Sequence, residues 1–359
     1  MRILIATDAW HPQVNGVVQT LNALAGAALP LGAAITFLTP DQFATVALPA
    51  YREIRLAIPD PRAVTARMRE ASIDAVHIAT EGPIGLMARA ICRRNAIPFT
   101  TSFHTRFPDY IAARLPIPQR WAKIWTWAWL RRFHAPASTV MAATPSLARE
   151  LAGRGFRNVG LWPRGVDTAR FRPHHGIDLG LPRPIFLTVG RLAVEKNLAA
   201  FLGLDLPGSK VVVGDGPAHA ELKQRHPDVT FLGARRGEAL AAVYAAADVF
   251  VFPSRTDTFG LVMLEALASG VPVAAFPVPG PQDVIGDAPI GALDEDLRVA
   301  CLRALTIPRA ACRAHACRMT WTESARCFLQ HIHIAGRPAR NASAQDRGLR
   351  AEGLSKTHA

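Results

Sequence analysis

Long apolar runs are missing from this chain. No stretch offers the ~18 uninterrupted apolar residues that a membrane-crossing helix needs, and the nearest approach, LAAVYAAADVFVF, is short and carries Asp248. The opening MRILIATDAW has no cationic stretch ahead of a long apolar segment, so no secretory signal is expected there and a cytoplasmic location is. Cysteine is sparse. Its five copies (Cys92, Cys301, Cys312, Cys317, Cys327) are odd in number and lack CxxC spacing, which suits reduced, packed thiols better than a disulfide framework or a zinc site. No GxxxxGK followed by Ser or Thr occurs, which removes a P-loop. The first strand pattern is followed by VNGVV instead of GxGxxG, which disfavours a dinucleotide-dependent oxidoreductase.

Acidic residues are scarce in one half only. Residues 1–173 hold 21 Lys or Arg against 10 Asp or Glu, whereas residues 174–335 hold 15 against 16. Within the first part, residues 89–132 carry nine basic side chains against Asp109 alone. A basic face on one domain attracts an anionic partner: a membrane surface, nucleic acid or an acidic substrate. The plainer account is arginine used as general surface charge.

What is present is a globular chain of 359 residues, half of them hydrophobic, enough for two domains with a core each. In the first half, RILIATD, AITFLTP, DAVHIAT, FTTSFHT and TVMAATP read as buried strands, with helical patterns near 61–72, 83–95, 117–135 and 146–154. After the Pro/Arg/Gly-rich stretch 162–184 the rhythm restarts with IFLTVGR, KVVVGDG, VTFLG, DVFVFPS and PVAAFPV. Apolar strands without polar alternation, separated by helices, imply parallel sheets covered on both faces. The expected architecture is α/β: two doubly wound domains facing a cleft, at 1–172 and 173–320. The terminal helices from about 294 to 334 are expected to cross back onto the first domain, the final crossing helix at 321–335. Residues 336–359 lack apolar periodicity and read as a disordered tail.

Ligands of such sheets sit at the carboxyl ends of the strands. That rule selects the loops Asp8–Gly16, Thr101–Arg106, Gly190–Lys196, Gly214–Pro217 and Ser254–Glu265. GRLAVEKN places Arg191 and Lys196 beside a helix start, where two cations and unpaired backbone N–H groups suit a diphosphate. In RTDTFGLVMLEALASGVPV, Asp257 and Glu265 flank a glycine. Asp257 or Thr258 can cap the following helix, or the Phe259, Gly260 and Leu261 N–H groups can meet phosphate or sugar oxygens. Glu265 lies among apolar neighbours, so its carboxylate needs a partner, and a ribose diol is one. LDEDL (293–297) has acid-x-acid spacing but reads as a helix start; no metal site is expected.

These motifs, GRLAVEKN, VVVGDGP, DVFVFPSRTDTFGLVMLEALASGVPV and GVDTARFRP, resemble retaining nucleotide-sugar-dependent glycosyltransferases of the GT-B fold. TDAWHPQVNGVVQTL and SFHTRFPDY are similar to the branch of sulfoquinovosyldiacylglycerol synthase-like and GDP-mannose-dependent α-mannosyltransferases. The likeness spans roughly residues 1–335. It implies that Glu265 holds the ribose of a UDP- or GDP-hexose and that Arg191 and Lys196 clamp its diphosphate. It further implies that Asp257 lies near the transferred sugar, with Thr258, Phe259, Gly260 and Leu261 offering contacts. Gly16 then belongs to the loop closing over the donor, and His104 meets the sugar near the reaction centre. The first acidic position is often Glu in that family; here it is the shorter Asp257. No cofactor or metal is implied.

On the acceptor side, Asp8 and His11 lie at the end of the first strand. Trp121, Trp125 and Trp129 are four residues apart and share one helical face, flanked by Lys123, Arg131 and Arg132. Such a face is either a core stripe or a membrane-surface contact; the basic balance of 89–132 favours an anionic membrane and hence a lipid acceptor. A soluble or polysaccharide acceptor is the alternative. A nucleic-acid-binding scaffold is a distant third, because no nucleic-acid module is recognisable and no nucleic-acid partner is expected.

Overall fold

The computed structural model describes residues 1–11, 15–48, 51–70, 72–104, 118–173 and 177–335. Apolar runs become strands wherever both faces are covered. The first sheet joins β1 (Arg2–Ala6), β2 (Ala34–Leu38), β5 (Ala75–Ile78), β6 (Phe99–Phe103), β7 (Thr139–Ala142) and β8 (Val159–Leu161) in the order β2-β1-β5-β6-β7-β8. Its pairs are all parallel. A small antiparallel hairpin, β3 (Thr45–Leu48) with β4 (Tyr51–Ala57), stands apart. The second sheet joins β9 (Ile185–Val189), β10 (Ser209–Val213), β11 (Thr230–Phe231), β12 (Val249–Phe252), β13 (Val273–Ala275) and β14 (Gly291–Leu293) in the order β11-β10-β9-β12-β13-β14. These pairs are parallel too.

Helices α1 (Gly16–Ala28), α2 (Pro61–Glu70), α3 (Pro83–Arg94), α4 (Gln119–His134) and α5 (Pro145–Gly153) belong to the first sheet. The second carries α6 (Leu198–Leu202), α7 (His219–Arg225), α8 (Gly237–Ala246), α9 (Leu261–Ala268), α10 (Pro279–Ile285), α11 (Leu297–Ala304) and α12 (Arg309–Ala316). Helix α11 starts on Asp296, whose side chain accepts from Arg298 N and Val299 N, so LDEDL is a helix cap.

The last helix among the described residues, α13 (Trp321–Ala335), leaves the second sheet and packs on the first. Its Ala325, Phe328, Leu329 and Ile332 share one buried cluster with Ile3, Ile5, Leu21 and Leu24. Helices α11 and α12 do not cross: Ala300 and Cys301 pack within the second sheet's core, as do Cys312 and Ala316. The crossing therefore begins after Met319, later than the apolar pattern from 294 suggests. Among the described residues the five cysteines are unpaired, and burial pushes the Cys92 and Cys301 thiols up to about 12.

The carboxyl ends of the two sheets meet. Thr258 Oγ1, in the loop after β12, donates to the carbonyl of His104 at the end of β6, at 2.9 Å. At the start of α5, Ser146 Oγ donates to Asp283 Oδ1 of α10 at 2.8 Å. A Cβ at Gly16 would sit 3.8 Å from Leu261 Cδ1.

Candidate active site

Two strand-end loops of the second sheet touch backbone to backbone. A Cβ at Gly214, whose φ is +143°, would fall 1.8 Å from the Gly190 carbonyl oxygen, so only glycine fits. Beyond Gly190 the chain makes a 3₁₀ turn, Val194–Lys196, that ends on Asn197 in the left-handed region (φ 53°). Asn197 Nδ2 donates to Pro253 O at 3.0 Å, tying this loop to the one after β12.

That tie brings together two residues separated by 61 positions. Lys196 Nζ donates to both Asp257 oxygens, at 2.6 and 2.8 Å, with both side chains half-buried. Arg191 lies half-buried at the head of the same loop. Helix α9 opens on Gly260 (φ 90°, ψ 75°), and no side chain caps it. Capping by Asp257 or Thr258 is thereby overturned: Lys196 takes the first and the His104 carbonyl takes the second. Phe259 is buried against the second core.

Glu265, on the second turn of α9, is partly buried and accepts from Tyr244 Oη at 2.9 Å. Its apolar surroundings push the carboxyl up to about 7, against the opposing pull of the Tyr244 hydrogen bond and of Arg170. Burial and the adjacent carboxylate push the Tyr244 phenol well above its ordinary value. Sequence reasoning missed Tyr244. The available signal was one phenol in the alanine-rich AAVYAAAD, since a hydroxyl buried in an apolar helix needs an acceptor.

From the first sheet comes His104. Its Nδ1 lies 3.3 Å from Arg164 Nη2, and its ring meets Trp162 edge-on at 5.8 Å. Burial, then Arg164 and His77, hold the imidazole well below its ordinary value, so it is neutral at pH 7. Gly16 stands at the first position of α1, where Asn15 Oδ1 accepts from Val17 N and Val18 N.

Asp8 has a different place from the acceptor role expected of it. Its carboxylate accepts from Ile84 N at 2.8 Å, Gly85 N at 3.3 Å and Thr80 Oγ1 at 2.9 Å, at the start of α3. A Cβ at Gly82 would strike it at 2.4 Å. Helix capping occupies this carboxylate. His11 is exposed, 3.4 Å from Asn22 Nδ2. Arg106, Asp109 and the tail 336–359 lie outside the described residues.

The structure brings Gly16, His104, Lys196, Asp257, Thr258 and Leu261 to one junction, with Arg191 at the head of its loop. Among the described residues no group of three His, Cys, Asp or Glu side chains is placed to hold a metal, and no helix is long and apolar enough to cross a membrane.

Helix α4 decides the tryptophan question. Trp121, Trp125 and Trp129 are 44%, 66% and 41% exposed, and Ile124 is 53% exposed. The core reading of the stripe fails because Ala122, Thr126, Leu130 and Phe133 form the inner face. Trp127 turns inward, stacking on Phe103 at 5.8 Å under the Arg154 guanidinium.

The family pattern described as Glycosyltransferase Family 4 matches residues 14–170, and that of Glycosyl transferases group 1 matches residues 183–305. Over 312 residues the chain is 31% identical to a GDP-mannose-dependent alpha-mannosyltransferase of Mycobacterium tuberculosis, covering 79% of this chain and 81% of that protein. An alpha-monoglucosyldiacylglycerol synthase of Streptococcus pneumoniae is 29% identical over 352 residues, covering 85% and 78% of the two chains. Among solved structures, sucrose-phosphate synthase from Thermosynechococcus elongatus superposes with a TM-score of 0.71 at 21% identity, over 98% of this chain and 99% of that one. That likeness is one of fold.

Proposed function

The chain belongs to glycosyltransferase family 4, and from that premise we propose that it moves a hexose from a UDP- or GDP-sugar to a lipid or glycolipid acceptor with retention of configuration. In this reading residues 1–172 take the acceptor and residues 173–320 the donor. Glu265 receives both ribose hydroxyls. Lys196 and Arg191 face the diphosphate, and Lys196 shares itself between Asp257 and phosphate oxygens. Asp257, Thr258 and His104 surround the sugar, and Gly16 lets α1 approach the donor. The carrying observation is the bridge from Thr258 to the His104 carbonyl, which sets the Lys196–Asp257 pair of one sheet against His104 of the other.

The bond between the anomeric carbon and the phosphate oxygen breaks while charge grows on the diphosphate. Arg191, Lys196 and the uncapped start of α9 stabilise that charge where it develops, the dominant catalytic contribution. The acceptor oxygen bonds the anomeric carbon on the face the diphosphate leaves, and its proton passes to a phosphate oxygen. No metal is required, and no protein carboxylate serves as nucleophile.

A lipid acceptor is supported by the exposed face of α4, where Trp121, Ile124, Trp125 and Trp129 stand beside Arg120, Arg131 and Arg132, and by the name of the Streptococcus relative. Indole and guanidinium groups on one helix suit the headgroup zone of an anionic leaflet, giving peripheral membrane contact without a spanning segment. GDP-mannose enters as a donor through the name of the Mycobacterium relative. The test pairs radiolabelled UDP- and GDP-hexoses with lipid extracts and with soluble saccharides. Label in the lipid phase, lost with Glu265→Ala together with nucleotide binding, supports the proposal. Label only in soluble product moves the acceptor, and binding indifferent to Glu265→Ala removes the ribose role.

A further inference from the structure

Arg164 lies in the segment that leaves β8 for the second sheet. It is 4% exposed, and among the described residues no carboxylate pairs with it. A buried charge ordinarily has a counter-ion, so the destinations of its N–H groups matter. Nη1 donates to Trp162 O at 2.6 Å, Nη2 lies 3.3 Å from His104 Nδ1, and the guanidinium carbon stands 4.2 Å over the Trp162 ring. Burial draws the guanidinium down to about 9, which leaves it charged at pH 7.

A guanidinium can donate but cannot accept. The nitrogen of His104 that faces it must therefore carry a lone pair, and the single ring proton of the neutral imidazole must sit on Nε2. Nε2 is buried and has no hydrogen-bond partner among the described residues. His77 offers it none, because its two nitrogens are held by Thr100 Oγ1 and Ser102 Oγ at 2.8 and 2.7 Å. Of the other charged and titratable groups around this junction, Lys196 and Asp257 are engaged with each other, Arg191 heads the loop that carries Lys196, and the Cys327 thiol of α13 interacts with Arg164. The same ring thus has one nitrogen fixed by a cation and one N–H awaiting an acceptor.

From this geometry we infer that Arg164 is a positioning residue, which locks His104 as the neutral Nε2–H tautomer so that the ring presents one uncharged N–H donor to an oxygen of the donor sugar. The sugar-facing half rests on the proposed donor site. A neutral donor holds the sugar without competing with Arg191 and Lys196 for the charge that develops on the diphosphate. Only a planar fork reaches the Trp162 carbonyl and the imidazole together, which is why lysine is no substitute.

The full chain carrying 15N-labelled histidine tests this, with His104 assigned by the signal missing from His104→Gln. The wild-type ring should show a pyridine-like Nδ1 and a pyrrole-like Nε2 that do not titrate between about pH 5.5 and 8.5. In Arg164→Met, His104 should titrate or mix tautomers, and kcat should fall about 10- to 100-fold while nucleotide-sugar KM moves much less. Arg164→Gln, which restores a neutral N–H donor, should recover the tautomer and part of kcat. A wild-type His104 that is protonated on Nδ1 or titrates in that range overturns the proposal, and needs no variant to fold. So does a folded Arg164→Met with unchanged spectrum and kcat. The spectra are recorded without donor, so the tautomer stands or falls independently of the donor-site reading. Failure of every nucleotide sugar to turn over would overturn that reading, and with it the sugar-facing half only.

Discussion

Replacing Tyr244 by phenylalanine removes one hydroxyl and keeps the ring that packs against Phe171 and Phe250. The lost bond is a 2.9 Å donation to a carboxylate, a charge-assisted contact worth about 1.5–3 kcal/mol. It favours the ionised carboxylate alone, so its loss should raise the Glu265 pKa by one to two units, at about 1.4 kcal/mol per unit. With the wild-type group at about 7, roughly half the protein is ionised at pH 7, against roughly 1–10% in Tyr244→Phe. A ribose diol donates to the charged form, so the variant's Kd for UDP or GDP should rise about 5- to 50-fold at pH 7 and return to within about twofold of wild type above pH 9. Isothermal titration across pH measures both curves. A ratio that stays constant with pH would refute the linkage, and tighter binding by the variant would refute the role of the hydroxyl. Stability moves oppositely with pH. The folded state keeps a proton that the unfolded chain releases near 4.5, so the Glu265 contribution falls as pH rises from there to about 7, by about 3 kcal/mol in all. Glu265→Gln should flatten that slope in chemical denaturation.

The remaining predictions use other regions. Trp125→Glu, at a position 66% exposed, should leave Tm unchanged and abolish sedimentation with vesicles rich in anionic lipid. Wild-type binding should be reversed by salt, and equal binding to neutral vesicles at high salt would exclude the electrostatic contribution. Gly214→Ala should lower Tm by about 5 °C or more and weaken nucleotide binding, because the new methyl meets the Gly190 carbonyl oxygen at 1.8 Å; a thermal-shift assay with and without UDP or GDP reads both. Phe328→Ala should destabilise the first domain by about 3–5 kcal/mol, since that fully buried ring packs on Trp162 at 5.0 Å. A loss under 1 kcal/mol on urea titration would mean that α13 is not part of that core.

Parallel strands covered on both faces leave a plain trace in sequence, which is why VFVF and IFLTV read as strands and the doubly wound architecture with its crossing helix was legible. The set Arg191, Lys196, Asp257 and Glu265 was legible as a candidate site because charged residues at strand ends have few structural uses. Its internal wiring was not. The Lys196–Asp257 pair spans 61 positions and the Tyr244–Glu265 pair 21, distances over which spacing carries no signal. Arg164 looks like any surface arginine until β8 and α13 enclose it. Asp8 looks like a cleft residue because nothing local reveals that α3 begins against it. Helix spacing put three tryptophans on one face but could not say which; that depended on the small and apolar residues at 122, 126, 130 and 133.

The return of α13 also fixes an order of events during synthesis. Ile3, Ile5, Leu21 and Leu24 are made well before the side chains that cover them, Phe328, Leu329 and Ile332. At about 5–20 residues per second, roughly 10–35 s separate the emergence of β8 from that of α13. Through that interval the second domain can complete its own core while the first keeps an apolar flank open to water. The nascent chain is therefore sticky on that flank until α13 arrives. A ribosome-bound chain stopped before residue 321 should recruit holding chaperones through that flank, and one extended past residue 335 should release them.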